Sequence, residues 1–190
     1  MKKFAIVLAA GKGTRMKSRD PEHSKVSYPI LGKALVNYVL DAIAPVGLDE
    51  TIVVVGFGGE ATRKLVEDRA KVVWQKELVG TGNAVLQVKK ILENREGATL
   101  VVCGDTPLIT TETITRIFNV HGKTKNHLTI VTAVLEKPSG YGRIIRDPKS
   151  NYVLAIKEDK DCTPEEKEIH EVNAGIYIFD NKALFDYIDE

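Results

Sequence analysis

The chain has 190 residues, of which 43% are hydrophobic and 28% charged, with a formal net charge of +1. That is apolar material enough for a real core, and it excludes both a disordered segment and a dedicated polyanion binder. No block of five or six basic residues occurs, so neither nucleic acid nor a membrane is expected as a partner. Two cysteines, Cys103 and Cys162, and four histidines stand in no metal or redox spacing, which fits a reducing cytoplasm.

The apolar run Phe4 to Leu8 predicts one buried strand and is too short for a signal-peptide core or a membrane span. It leads into Ala9-Ala10-Gly11-Lys12-Gly13-Thr14-Arg15-Met16. Glycine lets backbone N–H groups approach an anion, and Lys12 and Arg15 add positive charge, so the stretch reads as a strand-to-loop phosphate cradle. It fits neither the dinucleotide fingerprint, which needs glycine where Met16 stands, nor a Walker A loop.

Lys17 to Tyr28 is polar and irregular, broken at Pro21, and contains Lys25, which composition alone would leave as a solvated surface lysine. Apolar spacing at Leu35, Val36, Val39, Leu40 and Ile43 predicts a helix ending near Pro45. Thr51–Val55 predicts a strand, the glycines at 56–59 a turn, and Glu60–Asp68 a short helix. Lys71–Gln75 is the third strand, with Trp74 expected in the core. A stripe at Ala84, Val85, Val88, Ile91 and Leu92 predicts a helix opened by Gly80-Thr81-Gly82, which can cap it or offer N–H groups to a ligand. Thr99–Cys103 is the fourth strand and runs into Gly104-Asp105-Thr106-Pro107-Leu108; a helix from Thr111 to Val120 and a strand from Leu128 to Val134 follow.

This alternation predicts an α/β fold with a doubly wound, mostly parallel sheet flanked by helices. Beyond Val134 strands are expected near 139–145, 152–156 and 172–179, with a charged helix or loop at 162–171 and a helix from Lys182, as a mixed α+β layer set against that sheet. In such sheets ligands bind outside the carboxyl ends of the strands, at the switch in strand order. The strands ending at Gly11, Gln75 and Asp105 should therefore open onto one crevice. Asp105 there is either a helix cap or a turn aspartate, or a magnesium ligand that completes its shell with substrate phosphates.

The ordered set Leu8-Ala9-Ala10-Gly11-Lys12-Gly13-Thr14-Arg15-Met16, Gln75 with Gly80-Thr81-Gly82, Gly104-Asp105-Thr106-Pro107-Leu108, Gly140-Tyr141-Gly142-Arg143-Ile144, Glu158-x-Lys160-Asp161 and Glu171-x-Asn173-x-Gly175 resembles sugar-phosphate nucleotidyltransferases. It is most similar to the uridyltransferase domain of the bifunctional bacterial N-acetylglucosamine-1-phosphate uridyltransferase/glucosamine-1-phosphate acetyltransferases. The resemblance implies a Rossmann-like nucleotide-diphospho-sugar transferase fold over residues 1–190. It implies uridylyl transfer from UTP to N-acetylglucosamine 1-phosphate with Mg2+, in the cytoplasm, supplying UDP-N-acetylglucosamine for cell-wall and lipopolysaccharide synthesis.

By the same resemblance, Leu8, Ala9, Ala10 and Gly11 with Gln75, Gly80 and Thr81 would bind uridine. Lys12, Gly13 and Arg15 would handle the triphosphate, Lys25 would bridge phosphate oxygens, and Cys103 and Gly104 would border the nucleotide. Asp105 would hold Mg2+, and Gly142, Glu158 and Asn173 would hydrogen-bond the sugar. Read without the motif, Glu158 is a surface charge and Asn173 a turn amide. Three departures from the family pattern stand out. The segment from Lys17 to Ser24 is longer than usual, and Cys103 replaces a tyrosine. An asparagine metal ligand, the acetyltransferase β-helix and the trimer contacts that the family carries would all lie past Glu190, so a truncated domain with weak turnover is the expectation. Uridylyl-, thymidylyl- or cytidylyltransfer to another phosphorylated sugar or alcohol, and a non-catalytic nucleotide-sugar-binding module, are the alternatives. Retention of Asp105 and Arg15 favours an enzyme.

Overall fold

A computed structural model describes residues 1–11, 13 and 23–189. These form two compact units, one of Met1–Thr129 with Tyr177–Glu190, the other of Ile130–Ile176.

The first unit is built on β1 (Lys3–Ala9), whose Phe4, Ala5, Ile6 and Val7 are all fully buried. Burial on both faces is what a central parallel strand requires, hence the unbroken apolar run. A two-residue pair, β2 (Pro29–Ile30) and β3 (Lys33–Ala34), leads into α1 (Leu35–Ile43), which buries Leu35, Val36, Val39, Leu40 and Ile43, the stripe read from the sequence. Then come β4 (Glu50–Val55), α2 (Gly59–Val66), β5 (Lys71–Trp74), α3 (Thr81–Leu86), α4 (Lys89–Leu92), β6 (Ala98–Cys103) and α5 (Thr111–Thr124). Strand β1 pairs in parallel with β4 on one side and β6 on the other, and β4 pairs with β5. The order β5-β4-β1-β6 continues to β10, whose residues from Tyr177 belong to this unit. The chain therefore winds outward from β1 through β4 and β5, then returns to β1's other side as β6.

Strand β7 (Leu128–Val134) leads into the second unit. There β8 (Arg143–Arg146) and β9 (Val153–Lys157) make an antiparallel hairpin, followed by α6 (Pro164–Lys167) and β10 (Glu171–Asp180), which leads back to α7 (Asn181–Tyr187). Val172 of β10 pairs with Arg143.

Two expectations change. Trp74 is 43% exposed, not in the core, because β5 is the edge strand of its sheet and the indole lies over Gly59. The single helix expected over 84–92 is two short helices, parted where Val88 N donates to Val85 O, a tightened turn that buries Val88 completely. Residues 130–176 make up the second compact unit, which holds the β8–β9 hairpin.

The core of the first unit joins Phe4, Ile6, Ile52, Val54, Val88 and Leu92 to Leu184 and Phe185 of α7. Asn181 fastens that last helix. Its Oδ1 accepts from Thr99 Oγ1 (2.6 Å), and its Nδ2 donates to Leu92 O (2.5 Å) and Arg95 O (2.6 Å), with no exposed surface. Asn181→Ala would strand a buried hydroxyl and carbonyls, so it is expected to cost about 3 kcal/mol. Urea unfolding checks this, and an unchanged midpoint would show that water replaces the amide.

Candidate active site

A cleft of about 540 Å3 opens where β1, β5 and β6 end. Its position follows from the winding: strand order reverses between β1 and β6, so their continuations part above the sheet and leave a crevice. Leu8 and Cys103 are the last paired residues on that border, and Gly104 N donates to Leu8 O (2.9 Å) before the chains separate. Leu8, Ala9, Ala10 and Gly11 line the cleft from β1; Gln75, Gly80 and Thr81 line it from the end of β5 to the start of α3; and Cys103 and Asp105 close the β6 side. Gly13 and Lys25 complete the wall. The cradle residues Lys12 and Arg15 lie outside the described residues. Val26, Leu78 and Ala84 also line the cleft, and of these only Ala84 carried a sequence signal, as part of a helical stripe.

Lys25 is not a free surface lysine. Its Nζ donates to Asp105 Oδ2 at 2.7 Å, across 80 residues of sequence. It rides on a 3-10 turn, Lys25–Ser27, inside the stretch expected to be irregular. Ser24 O accepts from Ser27 N (3.1 Å) and Ser27 Oγ (2.8 Å), while the buried Ser24 hydroxyl bonds Thr62 Oγ1 of α2 (2.8 Å). Val26 is buried beside Lys25, and both side chains line the cleft. Gly13 closes over this turn at φ +60; a Cβ there would come within 2.8 Å of Lys25 Cβ, so only glycine fits.

Asp105 is not a helix cap. Thr110 caps α5, its hydroxyl accepting from Thr113 N (3.2 Å), which leaves Asp105 to the cleft. Side-chain exposures of 38% for Lys25 and 30% for Asp105 keep the ion pair within reach of water. Such a pair contributes about 0–1 kcal/mol, little enough for a ligand to open it. Opened, it offers a cation to phosphate oxygens and a hard carboxylate donor to a divalent metal. Among the described residues no three His, Cys, Asp or Glu converge, so a metal held by Asp105 would draw much of its shell from phosphate and water.

Gln75 is buried and its amide is oriented: Nε2 donates to Gly80 O (3.1 Å) and Asn83 Oδ1 (2.9 Å). With both donors used, Oε1 is the atom that can meet a ligand, as an acceptor. Burial, aided by the Asp105 charge, pushes the Cys103 thiol up to about 11, so at neutral pH it is a protonated wall and not a nucleophile.

The remaining predicted residues gather in the second unit. Asn173 N donates to Gly142 O (2.8 Å), and Asn173 Oδ1 accepts from Gly175 N (3.0 Å), which fixes the amide plane. Gly142 faces Glu158, whose Oε1 would lie 3.7 Å from a Cβ placed on the glycine. Three residues of separate sequence motifs thus form one cluster.

The profile of the MobA-like NTP transferase domain matches residues 5–159. The chain belongs to that family. Among curated relatives it is similar to the bifunctional protein GlmU of Geobacillus sp. (strain WCH70), 46% identical over 186 residues, 98% of this chain and 40% of the relative. It is 45% identical to the bifunctional proteins GlmU of Halalkalibacterium halodurans and of Listeria monocytogenes serotype 4a, each time over 188 residues, 99% of this chain and 40% of theirs. The chain thus spans about two fifths of the length of these relatives.

If Lys25 occupies the place a cation would take at Asp105, Lys25→Met should tighten binding of Mn2+ without nucleotide by roughly two- to fivefold. Titration followed by electron paramagnetic resonance reads it, and unchanged or weaker binding would show that the ion pair does not compete with metal.

Proposed function

We propose that the chain transfers a uridylyl group from UTP to N-acetylglucosamine 1-phosphate, releasing pyrophosphate and UDP-N-acetylglucosamine. The observation that carries this reading is the Lys25–Asp105 pair set beside Gly13 at the switch point of a nucleotidyltransferase-family sheet. A polyphosphate and its counter-cation are the ligands that satisfy both charges at once. Gln75 supports uridine, because its remaining acceptor suits the N3–H of uracil and opposes the unprotonated N3 of cytosine.

The reaction asks for little covalent chemistry from side chains. A sugar phosphate carries about −1.5 to −2 charge near neutral pH and is already a nucleophile. Its oxygen attacks the α-phosphorus of UTP in line, and the bond to the β-phosphate bridging oxygen breaks as pyrophosphate leaves. Asp105 would hold Mg2+, which when bound neutralises phosphate charge and orients the oxygens it touches. Lys25, released from Asp105, would bind phosphate oxygens, and Arg15 with Lys12 would offset the charge growing on the leaving group. Gly142, Glu158 and Asn173 are assigned to the sugar, whose hydroxyls and acetamide are read by donors and acceptors fixed in place. The protein's contribution is positioning and charge neutralisation. A cytoplasmic location suits both the nucleotide substrate and the two unpaired cysteines.

Pyrophosphate release from UTP with N-acetylglucosamine 1-phosphate and Mg2+ tests the reading, run beside CTP, dTTP and glucose 1-phosphate. UTP with the N-acetylated sugar should be turned over fastest, and chelation of metal should abolish release. Binding of UDP-N-acetylglucosamine without turnover would make this a binding module, and faster release with another pair would reassign the substrate.

Arg15→Ala should lower kcat roughly a hundredfold while UDP-N-acetylglucosamine affinity stays within about threefold. Turnover left nearly intact would remove Arg15 from the leaving-group role.

A further inference from the structure

The Gly140-Tyr141-Gly142-Arg143-Ile144 segment contains an arginine that takes no part in the chemistry above. Arg143 is 2% exposed, its guanidinium enclosed within the second unit. Nη1 donates to Pro138 O (2.8 Å) and Tyr141 O, and Nη2 donates to Asp159 Oδ1 (3.0 Å) and Lys167 O (3.4 Å), while Nε is buried with no acceptor. A buried guanidinium with an unpaired N–H is a poor way to gain stability, since apolar packing of similar volume does as well or better. The arrangement is better explained by what its partners adjoin. Pro138 and Tyr141 bracket the turn that delivers Gly142, a turn already closed by Tyr141 N donating to Pro138 O (3.1 Å). Asp159 directly follows Glu158, and Arg143 itself pairs in register with Lys157 across β8 and β9.

We propose that Arg143 is a positioning residue for the sugar: its planar fork holds the Gly142 turn and the Glu158 backbone at one fixed separation, so that both meet the same sugar ring. The assignment rests on the uridylyltransferase reading. Spacing there is tight on the other side as well, since a Cβ on Gly142 would sit 3.1 Å from Ile156 Cγ2. All the groups that Arg143 bonds lie between residues 138 and 167, so its loss acts on sugar contacts and not on the nucleotide cleft of the first unit. Lysine cannot replace it, because a point charge cannot reach acceptors on three segments at once.

Calorimetric binding of UDP-N-acetylglucosamine and, separately, of UTP tests this in Arg143→Lys and in the milder Asp159→Asn. Expected is a loss of about tenfold in UDP-N-acetylglucosamine affinity for Arg143→Lys, a smaller loss for Asp159→Asn, and UTP affinity within about twofold in both. Combined with Glu158→Gln, the Arg143→Lys loss should be less than multiplicative, because both act on one contact. Affinities for both ligands unchanged from the unaltered chain, or parallel losses of UTP and UDP-N-acetylglucosamine, would overturn the positioning role. Should Arg143→Lys not fold, Asp159→Asn decides alone by the same criterion. If the unaltered chain binds UTP but gains nothing from the sugar, the uridylyltransferase reading falls and this assignment falls with it.

Discussion

The parallel pairing of β1 with β6, and its end at Leu8 and Cys103, is the constraint on which the cleft depends. Up to that pair the two strands share hydrogen bonds and a dry interior. Past it, one chain turns into the glycine loop and the other into the Asp105 turn, held together at the fork by Gly104 N on Leu8 O. The cleft is therefore a by-product of the winding, and its chemistry is decided by what each departing chain carries. Among the described residues, one brings Gly11, Gly13 and Lys25, the other Asp105.

Neither charge is wasted before a ligand arrives. Lys25 and Asp105 satisfy one another at 2.7 Å, which avoids two unpaired ions in a half-buried place. Because water still reaches them, the pair is weak and reversible. The anchoring is strong where it has to be: the Ser24–Thr62 bond and buried Val26 fix the turn, leaving only the lysine's flexible end to move. Gln75 follows the same logic, with its amide nitrogen committed to Gly80 and Asn83 so that a single acceptor is offered in a set direction.

The second unit relies on a different device. Its strands are fewer and its apolar burial is smaller, so a buried arginine and short hydrogen-bonded turns take over the shaping of Gly142, Glu158 and Asn173. Precision there comes from directional polar bonds, whereas the cleft of the first unit is shaped by a packed sheet.

By itself the sequence determined the alternation of strands and helices, the glycine loop, and the motifs carrying Gln75, Asp105, Gly142, Glu158 and Asn173. Those features are local: apolar periodicity, glycine spacing and turn chemistry act within a few residues. Only the tertiary structure decided that Lys25 meets Asp105 across 80 positions, that Trp74 stays half in water on an edge strand, and that Arg143 is buried at the centre of a hydrogen-bonded knot. The reason is physical. Periodicity reports which face of an element is apolar, but an edge strand and an inner strand carry similar residues, and a charged side chain looks solvated until the fold brings its partner alongside.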